Sequence, residues 1–418
     1  MQKYGGSSLA TIGQIRRVAR LVADTHRSGR LTVVVVSARG RTTDELLGLA
    51  DVAGRQRTGR ETDQLLATGE SASAALLAIA LQDLGVPAIS LTGAQVGIQA
   101  TGEHGSGLIA KIDARRLQRI LTEGQVAVVA GFQGIDDMGD VLTLGRGGSD
   151  TTAVALAAVL RAGTCEICTD VPGVSTADPR VVDNVRTLPI VDVGVMAEMS
   201  FSGAKVLHSR AVDLAARNCI ELRVRSSDEA GVGESGTVIP ASRNEAIFET
   251  QPVVVAIAHD LDVNHVLVRC DSHHTDLTAD ILAVLSAYTV PVDFVARSGP
   301  QRSSSQIDLI VPRKDCEELL SKLREVMNGH RAEVHVDENV GKLSLIGMSL
   351  LNHPEYTARM LSTLTNAGIR ATWLSTSQIR TSVVIPRDRV LGAVRLLHDE
   401  FGLNRDDLDP VATRSARR

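Results

Sequence analysis

The chain has 418 residues, 44% hydrophobic and 22% charged, with a formal net charge of −5. That length buries a large core and divides into two or three domains. The mildly acidic balance argues against a nucleic-acid or anionic-membrane partner, and no apolar run nears ~18 residues, so a cytoplasmic protein is expected. Five cysteines, an odd number scattered along the chain, suit a reducing compartment. Cys165 and Cys168 have CxxC spacing, yet they sit in a strand-like segment with no second pair to complete a zinc site. They are expected to be buried core thiols, and no metal-ligating residues are assigned.

In chain order, Lys3-Tyr-Gly-Gly-Ser-Ser8 comes first, followed by Ile12, Ile15, Val18, Ala19 and Val22 at helical spacing. Gly5, Gly6 and Ser7 offer amides to an anion, and Lys3 adds a mobile positive charge. Strands are predicted at 31–37, 88–91, 126–130, 166–169 and 220–224. Helices are predicted at 13–25, 43–52, 71–82, 114–123, 151–162, 191–199 and 209–217. Such alternation, with continuous apolar strands, implies a largely parallel sheet covered on both faces, with ligands at the strands' carboxyl ends. The most informative stretch runs from Thr143 through Gly145, Arg146, Gly147, Gly148, Ser149 and Asp150 into an Ala/Val/Leu helix. Its glycines bring amides close to an anion, and the helix aims its positive end there. Asp150 also reads as a plain helix cap, and Thr43 does too. Past residue 250 a βαββα order occurs twice about 80 residues apart, the pattern of a repeated ferredoxin-like unit.

The ordered segments KYGGSS, VVVVSARGRTTDELL, LLATGESASA, VVAGFQG, TLGRGGSDTTAVALAA, TDVPGVSTADPR and GAKVLHSR resemble the aspartate kinases of the amino-acid kinase superfamily. The resemblance is strong over residues 1–250 and weaker beyond. It implies an α/β fold: an amino-acid-kinase-like three-layer sandwich with a largely parallel sheet, then two ferredoxin-like (ACT) α+β modules. The expected domains are 1–250, 251–335 and 336–410, with the strand near 253–258 tending to join the second module in the family. The implied reaction transfers the γ-phosphoryl group of ATP, with Mg2+, to the side-chain carboxylate of L-aspartate.

Carried over by motif, Lys3 is the transition-state cation and Asp150 its positioning partner. Arg146 takes the substrate's α-carboxylate and Glu70 its α-ammonium. Thr43, Gly147, Gly148 and Ser149 complete the substrate site. Gly5, Gly6, Ser7, Thr169, Asp170, Ser175, Arg180 and Lys205 join Lys3 around the nucleotide. An amino-acid effector is implied at the ACT modules, and a homodimer or larger homo-oligomer is expected. Two readings stay open beside this one: a kinase acting on an aspartate analogue, and a catalytically weak paralogue that senses amino acids.

The chain departs from the family pattern in two places. Pro172 and Ser175 stand where the nucleotide loop usually carries Asp and Tyr, which implies a modestly raised ATP KM. Asp271-Ser-His-His-Thr275 replaces an Asp-x-Pro-Gly effector turn in the first module, whereas His353-Pro354 is kept in the second. Weak or absent feedback by lysine and threonine is expected.

Overall fold

The central strand of the main sheet is β1 (Gln2–Tyr4), three residues long and missing from the strands predicted above. In this computed structural model the described residues are 1–54, 59–204, 206–228, 236–241, 253–271, 277–287, 294–301, 304–328 and 332–405. They form two compact units. The first continues through α1 (Ile12–Arg27), β2 (Val33–Val36), α2 (Thr42–Ala53), α3 (Arg60–Asp83), β3 (Ala88–Leu91), β4 (Ile98–Thr101), β5 (Leu108–Ile112) and α4 (Arg115–Thr122). It then runs through β6 (Val126–Ala130), β7 (Gln133–Ile135), β8 (Val141–Thr143), α5 (Gly148–Val159), β9 (Thr164–Thr169), α6 (Val193–Phe201), α7 (Ser209–Arg217), β10 (Glu221–Ser226) and β11 (Thr237–Ile239).

The main sheet has the order β11-β10-β9-β1-β2-β6-β3, parallel throughout except for β10 with β11. Every residue of β2 and β6 is buried, as expected of strands covered on both faces. Tyr4, Val34, Val36, Val126 and Val128 pack against Val18 and Val22 of α1 and Leu77 and Leu81 of α3. On the opposite face α5 packs on β1, β2 and β9. From β1 the chain passes to β2 on one side, while β9 pairs with β1 on the other. The sheet therefore reverses direction at β1, and the crevice at its carboxyl end is where such folds bind ligands. A smaller sheet, β5-β4-β7-β8, sits apart from the first.

Two helices differ from expectation. The first begins at Ile12 behind its own capping box, Thr11 with Gln14, and a short 3-10 turn over Gly6–Leu9, which starts within the glycine pair, precedes it. The segment after Lys3, expected to cradle an anion, is thus a turn and not a helix N-terminus. α3 begins at Arg60, eleven residues before its expected start, because Thr68-Gly69-Glu70-Ser71 breaks the apolar periodicity without breaking the helix. On length and composition α3 is the one described helix that could cross a membrane, but Leu66, Ala67, Ala74, Leu77, Ala78 and Leu81 are buried in the protein.

The second unit contains β12 (Val254–Asp260), β13 (Val263–Asp271), α8 (Thr278–Ala287), β14 (Phe294–Gln301), β15 (Ser304–Pro312), α9 (Arg313–Met327) and β16 (Ala332–Asp337). β17 (Val340–Gly347), α10 (Pro354–Asn366), β18 (Trp373–Thr376), β19 (Arg380–Pro386) and α11 (Val390–Glu400) follow. Its strands form two antiparallel sheets, β14-β15-β13-β16 and β12-β17-β19-β18. Because β12 pairs with β17, the whole first sheet is inserted between two neighbouring strands of the second. Residues 176–186 also belong here: Ala177 and Val182 share a core with Ile257, Leu345 and Leu397.

Candidate active site

Strand alternation turns Tyr4 into the core under α1 and α3, so Lys3 points to the other face, toward the start of α5. There its ammonium lies 2.7 Å from Asp150 Oδ1, and both side chains keep about a tenth of their surface exposed (12% and 11%). Asp150 is in the first turn of α5, and the N-cap is Gly147, so the capping role is not its own. Gly147 has φ +69°, and a Cβ there would lie 2.2 Å from the His208 side chain; only glycine fits. The bend it permits carries the chain from Arg146 straight into the helix.

Gly5 and Gly6 follow β1. The Gly5 amide donates to Cys168 O at the end of β9 (3.2 Å), and Gly6 O accepts from Gly40 N (2.9 Å). A Cβ on Gly6 would meet Ala38 O at 2.5 Å, so the turn after β1 and the loop after β2 are stitched together backbone to backbone. Ser7 is exposed beside them. Ser8 Oγ accepts from Ser227 Oγ (2.7 Å), and Ser227 N donates to Thr169 O (2.7 Å), which fixes the end of β9. Thr169 Oγ1 donates to Asp170 Oδ1 at 3.0 Å.

Glu70 belongs to the third turn of α3, not to a helix start, and is 4% exposed. Its Oε1 accepts from Ala38 N (3.1 Å), while Oε2 is buried without a hydrogen-bond partner. Burial pushes its carboxyl up to about 7, against the lowering effect of the Ala38 bond. An unsatisfied buried carboxylate oxygen is an apt receptor for an ammonium group, which supplies both charge and donors. Thr43 is half-buried in the first turn of α2, where Arg41 and not Thr43 holds the N-cap position. Ser149 is buried against Gly131, the residue after β6. Arg146 is exposed and makes no ion pair among the described residues.

The sequence-predicted residues therefore converge from the ends of β1 and β9, the body of α3 and the start of α5. Three stand differently. Ser175 is bridged to Thr187, after a Val174 amide that donates to Thr237 Oγ1 (2.8 Å). Arg180 belongs to the second unit, where its guanidinium is bidentate on Asp178 (3.0 and 2.8 Å) and holds that carboxyl below its usual range. Lys205 lies outside the described residues, as do 272–276 of the altered effector turn. Cys165 and Cys168 are both buried free thiols, and burial pushes Cys165 up to about 12.

Sequence reasoning missed Ala38, whose amide orients Glu70, and Phe132, held in the left-handed region (φ +70°) by a bond from its amide to Thr152 Oγ1 (3.1 Å). It also missed Asp63 and Arg210. The signal for Asp63 was present: it stands seven residues before Glu70, two turns along the same helical face. Among the described residues no group of three His, Cys, Asp or Glu side chains is placed to hold a metal ion.

Residues 2–226 match the amino acid kinase family, and residues 343–401 match an ACT domain. The aspartokinase of Geobacillus stearothermophilus is 40% identical over 403 residues, covering 96% of this chain and 97% of that protein. E. coli aspartokinase III in complex with aspartate and ADP (R-state) has a TM-score of 0.80 at 25% identity, covering 96% of this chain and 98% of that one. The same enzyme with lysine and aspartate (T-state) has a TM-score of 0.65 at 25% identity, with the same coverages of 96% and 98%. Full-length identity, the kinase match and the Lys3–Asp150 and Glu70 geometry agree: the chain belongs to the aspartokinases, within the amino acid kinase family.

Proposed function

We propose that the chain transfers the γ-phosphoryl group of ATP to the side-chain carboxylate of L-aspartate, giving 4-phospho-L-aspartate and ADP. The observation that carries this reading is the juxtaposition of a cationic glycine turn, at Lys3 and Gly5–Gly6, with a buried receptive carboxylate, Glu70, one strand away. In the reaction a carboxylate oxygen attacks the γ-phosphorus while the bond to the β–γ bridging oxygen breaks, so two anions must be held in line. Lys3 neutralises charge on the transferring group, and Asp150 holds its ammonium until the phosphates arrive. Mg2+ bound to the phosphates would neutralise them further. Gly5, Gly6, Ser7, Thr169 and Asp170 line the nucleotide side, and Ser175, Arg180 and Lys205 complete it by resemblance. Glu70 takes the substrate's α-ammonium, Arg146 its α-carboxylate, and Thr43, Gly147, Gly148 and Ser149 surround it. The complex of E. coli aspartokinase III with aspartate and ADP supports the same pair of ligands here.

The test is ADP release by the purified chain with ATP and Mg2+. It is expected to be saturable in L-aspartate and far slower with succinate, which lacks the ammonium. Aspartate-independent ADP release, or equal rates with succinate, would overturn the reading and favour an analogue kinase or a sensing paralogue.

Four finer readings follow from the sequence. The second unit would bind an amino-acid effector, and the protein would work as a homo-oligomer. The altered turn at Asp271–Thr275 would leave feedback by lysine and threonine weak: millimolar amounts of both are expected to leave the rate nearly unchanged, and strong inhibition would refute this. Finally, Ser175→Tyr should lower the ATP KM about threefold by restoring an aromatic contact, and an unchanged KM would remove that role.

A further inference from the structure

Outside the residues already assigned, the most heavily bonded buried side chain near the site is Asp63. It is 1% exposed, on the face of α3 that also carries Glu70. Its Oδ1 accepts from Thr143 Oγ1 (2.6 Å), and its Oδ2 accepts from Thr143 N (2.9 Å) and Gly105 N (3.1 Å) and meets His104 Nδ1 at 3.0 Å. Thr143 ends β8 and stands three residues before Arg146. The backbone between them is gripped from another side. Arg210, partly buried, with its guanidinium pKa lowered by that burial, donates from Nη1 to Leu144 O (2.6 Å) and from Nη2 to Gly107 O (3.1 Å). Thr143 O in turn accepts from Gly107 N (2.8 Å).

These bonds bind two strand-ending loops, 102–107 and 143–147, to one carboxylate and one guanidinium. A buried carboxyl group that accepts from Thr143 Oγ1, Thr143 N and Gly105 N and touches His104 is held directionally, and helix α3 fixes its position. Arg146 itself is exposed and rests on this backbone, so its fork can meet a planar carboxylate only if the segment is held still.

We propose that Asp63 is a positioning residue that sets the place of Arg146, and through it the affinity for the substrate's α-carboxylate, so that one helix orients both ends of the amino acid: Glu70 directly and Arg146 through Asp63. The proposal rests on the reading of Arg146 as the carboxylate receptor. An interaction made equally in ground and transition states appears in KM more than in kcat.

The experiment is steady-state kinetics of the full chain with Asp63→Ala, Asp63→Asn, Thr143→Val, Arg146→Ala and the Asp63→Ala/Arg146→Ala double variant. Asp63→Ala is expected to raise the aspartate KM about ten- to a hundredfold while leaving the ATP KM within about twofold. Asp63→Asn should restore most of that loss, because its oxygen can still serve the three nitrogen donors while its amide donates to the Thr143 hydroxyl. In the double variant the Asp63→Ala effect should vanish, since it acts through Arg146. If Asp63→Ala does not fold, Thr143→Val carries the test, with an aspartate KM a few-fold higher and the ATP KM unchanged. A folded Asp63→Ala or Thr143→Val with a lower Tm and unchanged aspartate KM would overturn the proposal, as would equal increases in both KM values. If Arg146→Ala leaves the aspartate KM unchanged, the reading of Arg146 fails; if it raises the KM and Asp63→Ala does not, only the positioning role fails.

Discussion

Glu70→Gln should raise the aspartate KM by about a hundredfold, the scale expected when a buried charge-assisted bond to an ammonium is lost, and it should also make the fold's stability less sensitive to pH. The two effects share one cause. Glu70 is buried with Oε2 unpartnered, so its carboxyl is raised to about 7 from a model-compound value of 4.5. Between those values the unfolded chain ionises Glu70 while the folded chain keeps it protonated. Stability contributed by the protonated form is complete below 4.5 and lost as the pH rises through 7, a change of about 3 kcal/mol. Glutamine cannot ionise, and its oxygen can still accept from Ala38 N. The stability difference, variant minus wild type, should therefore rise by about 3 kcal/mol from pH 4.5 to pH 8, as read by urea unfolding at both pH values. In the wild type the aspartate KM should rise about tenfold per pH unit below 7, because the ammonium needs the ionised carboxylate and binding must release a proton. Glu70→Gln should flatten that limb. A wild-type KM independent of pH from 6 to 8 would remove Glu70 from the substrate site.

Lys3→Met should lower kcat by about two to three orders of magnitude, the loss typical of one preorganised group aimed at developing charge. Methionine keeps the length and apolar stem, so β1 should still seat in the sheet. Asp150 would then face the phosphates with no cation beside it, adding repulsion to the lost attraction. The readout that separates catalysis from structure is kcat against Tm. A structural ion pair alone predicts a lower Tm with kcat kept, whereas the proposed role predicts a collapsed kcat in a folded protein that still binds aspartate.

Much of this site was legible because glycine and charge leave strong marks in a sequence. The KYGGSS and LGRGGSD segments led to an expectation of amides close to an anion; the close approaches seen are within the protein, Gly6 against Ala38 O and Gly147 against His208, and the Gly5 amide is taken by Cys168 O. The buried valine runs at β2 and β6 were equally plain. What escaped was short or interrupted. β1 has three residues, one of them Lys3, so no hydrophobic run exposes it. Helix α3 hides its first turns behind charged residues and a Thr-Gly-Glu-Ser break, which left Glu70 at a supposed helix start and Asp63 outside the helix. The sheet of β4, β5, β7 and β8 is built from strands of three to five residues whose pairing comes from the tertiary fold. In the second unit the repeat was visible, and the pairing of β12 with β17, residues more than 80 positions apart, is the one the resemblance implied for the strand near 253–258 and local pattern alone does not encode.

The most direct measurement traps the product. Purified protein is incubated with ATP, Mg2+ and L-aspartate in hydroxylamine, and the hydroxamate is identified by mass spectrometry and chromatography against the two aspartyl isomers. The 4-hydroxamate, formed about a hundredfold or more slowly with Lys3→Met and strongly reduced with Glu70→Gln at low aspartate, is the predicted result. No hydroxamate from aspartate in a protein that binds ATP, or the 1-hydroxamate in its place, would contradict the account.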